Sequence, residues 1–166
     1  MKKRLLSLFL TFSMLLTFFP VGTVTVFASD SPMAYTDGSY QFILNADNTA
    51  TITKYTGNEH RITIPAQVTQ DAQTYPVSKI GDRVFCNYKY VLTGVQIPDT
   101  VTEIGSNAFR ACSALTSIVI PNQVKLVGSY AFTSCSLNHI GWGSSVEKIG
   151  YGAFEKNKFV EMKIPQ

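Results

Sequence analysis

The 166-residue sequence carries 14 Lys and Arg against 11 Asp and Glu, with 45% hydrophobic and only 15% charged residues. That balance excludes a disordered polyelectrolyte and is ample for one hydrophobic core. The net charge of +3 comes from Lys2, Lys3 and Arg4, so a nucleic acid partner, which needs a clustered positive surface, is not expected.

Those three cations are followed by an uncharged apolar run from Leu5 to Phe19, ended by Pro20. Val26-Phe27-Ala28 then offers the small or β-branched residues that a signal peptidase reads. Residues 1–28 are therefore expected to be a secretory signal cleaved after Ala28, delivering the rest to the medium or the cell surface. A retained membrane anchor is the rival reading; Pro20 and Gly22 split the run and weaken it. No membrane contact is expected after cleavage, and no Cys lies near the segment to carry a lipid.

From Ser29 to Thr63 the chain has no repeat. Tyr40, Phe42 and Leu44, then Ala50, Ile52 and Lys54, alternate on either side of Asn45-Ala46-Asp47-Asn48. That pattern predicts a β-hairpin, and residues 29–63 are expected to cap the amino-terminal end of the repeats that begin at Ile64.

From residue 64 to 166 one string recurs. Ile97-Pro98 leads through Ile104-Gly105 to Ala108-Phe109, and 23 residues later Ile120-Pro121 leads through Val127-Gly128 to Ala131-Phe132. Trp142-Gly143, Ile149-Gly150 and Ala153-Phe154 repeat it, and Ile164-Pro165 opens a further turn. Ile64-Pro65, Ile80-Gly81 and Val84-Phe85 make a looser first copy with an insertion at residues 70–75. A fixed period in the twenties marks a stacked solenoid of about four coils, because one unit cannot bury its apolar edge alone.

Within a coil, Leu115, Ile118 and Ile120 define L-x-x-I-x-I, an alternating half-buried strand matched by Leu92, Val95, Ile97, by Leu137, Ile140, Trp142 and by Phe159, Met162, Ile164. Pro98, Pro121 and Pro165 end the strand, since proline donates no ladder hydrogen bond. Val101, Val124 and Val146 turn inward next. Gly105, Gly128 and Gly150 are expected at a sharp turn with positive φ, followed by a short helical or 3₁₀ segment on the convex side.

The pattern I-P-x-x-V-x-x-I-G-x-x-A-F-x-x-C-x-x-L-x-x-I-x-I, written by Ile97 to Ile120, resembles the BspA-like class of bacterial leucine-rich repeats. The resemblance covers Ile64 to Gln166. It implies a curved leucine-rich repeat solenoid on secreted or surface-attached proteins, often engaged in adhesion to host matrix proteins or other cells. Gly143 in place of Pro, the insertion in the first unit, and Cys86 directly after Phe85 rather than three residues on depart from the pattern and loosen single coils.

Catalytic chemistry finds little support. His60 and His139 fall at exposed positions of different coils, with no nucleophile and orienting partner in sequence range. Asp82, Asp99, Glu103, Glu147 and Glu155 are scattered, without the held pair that glycoside hydrolysis needs. Cys112 and Cys135 lie three residues after the repeat Phe, where Asn157 stands in the last unit. A compact side chain meeting the backbone of a tight turn satisfies all three, so buried thiols are expected, with an inter-coil disulfide as the alternative. No Cys or His spacing suits a metal, and no cofactor is expected.

The outward positions of the repeat strand form columns on one face. They give Thr93, Thr116 and Asn138; then Ser117, His139 and Glu161; then Gln96, Val119 and Lys163, with Arg61 and Thr63 extending the rows at the cap side. This concave face is expected to dock an extracellular protein or glycan, such as a host matrix component or another cell surface. A structural spacer, or a piece of a longer surface protein, is the competing reading. Ile164-Pro165-Gln166 is expected to leave the carboxy-terminal end uncapped, with an edge strand open to self-association.

Overall fold

The computed structural model describes residues 33–86 and 88–161. The expected signal segment, its cleavage site, Lys163 and the expected open strand at Ile164-Pro165 lie outside those residues. Among the described residues the chain forms strands β1 (Tyr35–Asp37), β2 (Tyr40–Leu44), β3 (Ala50–Tyr55), β4 (Arg61–Thr63), β5 (Gln67–Gln70) and β6 (Gln73–Ile80). It continues with β7 (Gly94–Gln96), β8 (Glu103–Ile104), β9 (Ser117–Val119), β10 (Leu126–Val127), β11 (His139–Gly141) and β12 (Lys148–Ile149).

These strands build a wrap repeated coil by coil. One side carries the L-x-x-I-x-I strands, as the parallel pairs β4–β7 and β9–β11. A second side carries the end of β6, then β8, β10 and β12, parallel and in register: Lys79 and Ile80 face Glu103 and Ile104, then Leu126 and Val127, then Lys148 and Ile149. The isoleucine and valine of this side point inward, and Ile80, Ile104 and Val127 are fully buried. The apolar residue before each glycine thus ends a short strand not expected from the sequence, and the turns follow it.

The third side corrects the expected helical segment, because no helix is present among the described residues. Residues 106–111, 129–134 and 151–156 instead run as tandem turns. Left-handed φ recurs four residues apart within them: 57° at Asn107 and 61° at Ala111, 58° at Tyr130 and 56° at Ser134, 62° at Gly152 and 55° at Lys156. Each such residue breaks a helix. The reason lies in the amides. A helix uses its N–H groups internally, whereas here alternate amides bond the next coil: Asn107 N–H donates to Ser129 O at 2.9 Å, Phe109 to Ala131 at 2.8 Å and Ala111 to Thr133 at 2.8 Å. Tyr130, Phe132 and Ser134 do the same to Tyr151, Ala153 and Glu155 at 2.7–2.9 Å.

The glycines are also corrected. Gly105, Gly128 and Gly150 do not have positive φ, which falls two residues later. They are required by close approach: a Cβ at Gly128 would lie 2.6 Å from Gly105 C and Ser106 N, and one at Gly150 2.4 Å from Ser129 N. That contact brings the Gly105, Gly128 and Gly150 amides within 2.7 Å of the carbonyls of Ile80, Ile104 and Val127 one coil earlier.

The core is an aromatic spine. Phe85, Phe109, Phe132 and Phe154 stack nearly parallel, at centroid spacings of 4.8, 5.0 and 5.3 Å, close to the strand-to-strand repeat of a sheet. Three residues after each ring stands a donor. The Cys112 thiol donates to Phe85 O at 3.3 Å, Cys135 to Phe109 O at 3.1 Å, and Asn157 Nδ2 to Phe132 O at 2.8 Å. In the first coil Tyr88, not the displaced Cys86, fills this position, its hydroxyl donating to Tyr55 O at 2.8 Å. The three cysteines are free thiols. Burial pushes the Cys135 thiol up to about 12; burial also raises Cys112, with the neighbouring thiols adding to it.

The expected hairpin is present as β2 and β3, turning through Asn48 at φ 61°. No residue pattern announces β1, which pairs antiparallel with β2. β3 continues the second side in repeat register: it pairs parallel with β6, and Gly81 N–H donates to Ile52 O at 2.8 Å. Tyr55 extends the spine beneath Phe85 at 5.4 Å. The insertion is the hairpin β5–β6, closed by Asp71 and Ala72, both at positive φ as a type I′ turn demands.

This packing sets three measurable outcomes. In urea melts, Phe132→Ala, between two rings, is expected to cost about 3–5 kcal/mol, and Phe154→Ala, with one stacked neighbour, less; equal losses would contradict a shared spine. Gly128→Ala should cost about 3 kcal/mol by forcing two backbones apart, whereas Gly38→Ala, with open space around it and φ 57°, should cost only about 1 kcal/mol of conformational strain. Thiols raised in the folded state stabilise fully below their unfolded pKa of about 8.5 and lose that contribution as pH rises. The urea midpoint should therefore fall between neutral and alkaline pH, and Cys112→Ser with Cys135→Ser should flatten the fall; an identical pH profile in the double variant would refute this linkage.

Candidate functional site

Alternation in the repeat strand decides what reaches solvent. Ile62 and Ile118 are buried beneath the ledge, and Val95 and Ile140 pack against the same core, so their neighbours must point out. The ladders align part of the expected columns: Arg61 opposite Gly94 and Thr63 opposite Gln96 in one pair, Ser117 opposite His139 and Val119 opposite Gly141 in the other. Arg61, Thr63, Thr93, Gln96, Thr116, Ser117, Val119, Asn138, His139 and Glu161 are all exposed. Lys163 lies outside the described residues.

The columns are not one continuous sheet. β7 and β9 lie side by side without joining into a ladder, and the two pairs remain separate. A shallow cavity of about 400 Å³ opens here, floored by Ile62, Val95 and Ile118 and walled by Arg61, Thr63, Thr93, Gln96, Ser117 and Val119. The Arg61 stem passes over Gly94, where a Cβ would sit 3.4 Å from Arg61 Cγ, an ordinary van der Waals contact. Polar groups along the rim are already tethered. The Thr93 hydroxyl donates to His60 O at 2.9 Å, Thr63 Oγ1 lies 3.4 Å from Gln96 Oε1, and His60 Nδ1 is 3.0 Å from Val91 O. Val119 is 65% exposed and offers an apolar contact amid polar ones.

A second cavity of about 380 Å³ adjoins the first and shares Arg61, Ile62 and Thr63 with it. Apart from Pro65, its other walls come from the non-repeating segment, including Asp37, Tyr40, Tyr55 and Glu59. The repeat columns could not reveal these residues, since no phase relates them to a coil. Tyr40 and Tyr55 rings lie 5.0 Å apart, and the Tyr40 hydroxyl donates to Thr63 O at 3.2 Å. Tyr55 donates to Glu59, which holds that carboxyl below its ordinary range. Burial, and then the Glu59 charge, pushes Tyr40 up to about 12. Around neutral pH the pair of cavities thus presents a carboxylate at Glu59, a guanidinium at Arg61 and neutral phenols, a set suited to hydrogen bonding. Among the described residues no three His, Cys, Asp or Glu side chains gather closely enough to hold a metal.

Comparison with known proteins accords with this architecture. Residues 78–166 match the family model described as a BspA type leucine rich repeat region, in six copies. Among solved structures, a leucine rich cell surface protein from Faecalibacterium prausnitzii is 50% identical with a TM-score of 0.50, over 83% of this chain and 50% of that one. A leucine-rich repeat protein from Bacteroides capillosus is 33% identical with a TM-score of 0.69, over 78% of this chain and 95% of that one. Another from Bacteroides ovatus is 30% identical with a TM-score of 0.68, over 79% of this chain and 35% of that one. The chain therefore spans half the length of the Faecalibacterium protein it resembles. No curated protein matches. With a repeat model over more than half its length and relatives that share its coil, the chain belongs to the BspA-type leucine-rich repeat family of bacterial proteins.

Proposed function

We propose that this chain is a non-catalytic recognition module working outside the cell, and that it binds a protein or glycan through the strand ledge and its two adjoining cavities. The observation that carries this reading is the pairing of a rigid, buried inner row with an exposed outer row of small, varied, mostly polar side chains. The inner residues are fixed by stacking and the outer ones are not, so recognition can vary without disturbing the fold. Cavities floored by apolar side chains and rimmed by hydrogen-bonding groups suit a ligand with both characters.

Export through residues 1–28 and display at the surface fit a family whose Faecalibacterium relative is described as a cell surface protein. In this reading β1–β3 act as the amino-terminal cap, since β3 occupies the place of a preceding coil and covers Phe85 with Tyr55.

The test is capture of the purified chain on immobilised extracellular matrix proteins and polysaccharides. Ser117→Arg combined with His139→Arg adds two long charged side chains to facing positions of the outer row. This variant is expected to abolish capture while leaving the melting curve unchanged. Undiminished capture would remove the ledge as the docking face.

A further inference from the structure

A third cavity, of about 370 Å³, opens on the tandem-turn side and is lined by Arg83, Cys86, Lys89, Asn107, Arg110 and Ala111. Two successive coils contribute to it, and it shares no residue with the ledge cavities. We propose that this pocket binds a small divalent oxyanion, a phosphate or sulfate group, either free or as the terminal ester of a larger molecule.

Three cationic residues, Arg83, Lys89 and Arg110, line one opening, and no carboxylate residue is among those that line it. The ion pairs of the described chain use other cations: Lys79 with Glu103, Lys125 with Glu147 and Lys156 with Glu155. Asp82, next to Arg83 in sequence, is not among the lining residues; its Oδ1 accepts the Ser106 amide at 2.7 Å. Like charges brought to one opening repel one another, and a bound dianion relieves that repulsion while taking up charge-assisted hydrogen bonds.

The frame of the pocket is also preorganised. Arg83, Asn107 and Ala111 hold left-handed φ of 60°, 57° and 61°, and their backbones are tied across coils. Arg83 N–H donates to Ser106 O at 3.1 Å and Ala111 N–H to Thr133 O at 2.8 Å. The Lys89 carbonyl accepts from Ser113 Oγ at 2.7 Å and from Ala114 N–H at 3.2 Å. Arg110 Nη1 lies 3.4 Å from Asn107 Oδ1, which orients the guanidinium. A planar guanidinium held at a pocket rim matches the paired oxygens of phosphate or sulfate.

The extent of the charge selects a compact ligand. Following the Arg83 position along the stack gives Asn107, Tyr130 and Gly152; following Arg110 gives Thr133 and Glu155. The positive field ends within two coils, so a polyanion running along the solenoid finds no track, while a single tetrahedral group finds a complete site.

Cys86 supplies a reporter, because its half-buried thiol edges the pocket whereas Cys112 and Cys135 are buried. In the purified full chain, the rate of Cys86 alkylation by iodoacetamide would be followed by mass spectrometry against increasing inorganic phosphate, with sodium chloride at matched ionic strength. Saturable protection by phosphate but not by chloride is expected. Arg83→Asn and Arg110→Thr borrow residues that the fold already accepts at the corresponding places of neighbouring coils, so both should melt like the parent. Each is expected to weaken phosphate protection about tenfold, equivalent to about 1.4 kcal/mol. A simple alkyl phosphate monoester distinguishes the sources: protection by it as well assigns the site to ester groups, and protection by inorganic phosphate alone assigns it to the free ion. Equal protection by chloride, no protection by either phosphate, or unchanged protection in both variants would overturn the proposal.

Discussion

Each coil of this chain must land on the previous one at the spacing of neighbouring strands, and the aromatic spine is where that requirement is enforced. Phe85, Phe109, Phe132 and Phe154 stack at 4.8–5.3 Å with planes within 6° of parallel. A ring cannot tilt or slide without losing contact on both faces, so it fixes the translation between coils. The donor three residues later, Tyr88, Cys112, Cys135 or Asn157, ties that translation to the backbone by reaching the carbonyl beside the preceding ring. A thiol, an amide and a phenol share the position because what it needs is one donor of the right reach.

The glycine ladder and the tandem turns answer the same requirement. Glycine lets two backbones approach until the amide of one meets the carbonyl of the other at 2.7 Å. Repeated left-handed residues point alternate amides at the next coil instead of into a helix. Two sides of the solenoid are therefore cross-linked from coil to coil and the strand ledge within each of its two pairs, and the inward residues have almost no freedom to vary.

Freedom is left on the outside, and both proposed binding surfaces occupy it. The first ledge cavity arises where the two strand pairs fail to merge. The cationic pocket arises because the repeat is indifferent to the side chain at the Arg83 and Arg110 positions, provided the backbone is left-handed at the first. Neither surface perturbs the spine, which is the physical reason a repeat protein can hold two distinct sites within a few coils.

Period, strand phase and inward rows are legible in the sequence, since burial at a fixed interval leaves apolar residues at a fixed interval: Leu115, Ile118, Ile120 and Phe132 can be assigned without coordinates. The outward columns follow from the same alternation. The third side misleads because i to i+4 apolar spacing, as from Ala108 to Cys112, suits a helical turn as well as tandem turns, and only the neighbouring coil can accept the amides that decide between them. Gly105 and Gly128 serve close approach rather than dihedral freedom, a distinction visible only when the adjacent backbone is in place. Tyr40, Glu59 and the grouping of Arg83, Lys89 and Arg110 likewise carry no periodic mark. The sequence by itself determined that coils stack and which residues face inward, because periodic burial is a local pattern; tertiary structure alone decided which exposed side chains meet, because those meetings join residues whose separation along the chain follows no rule.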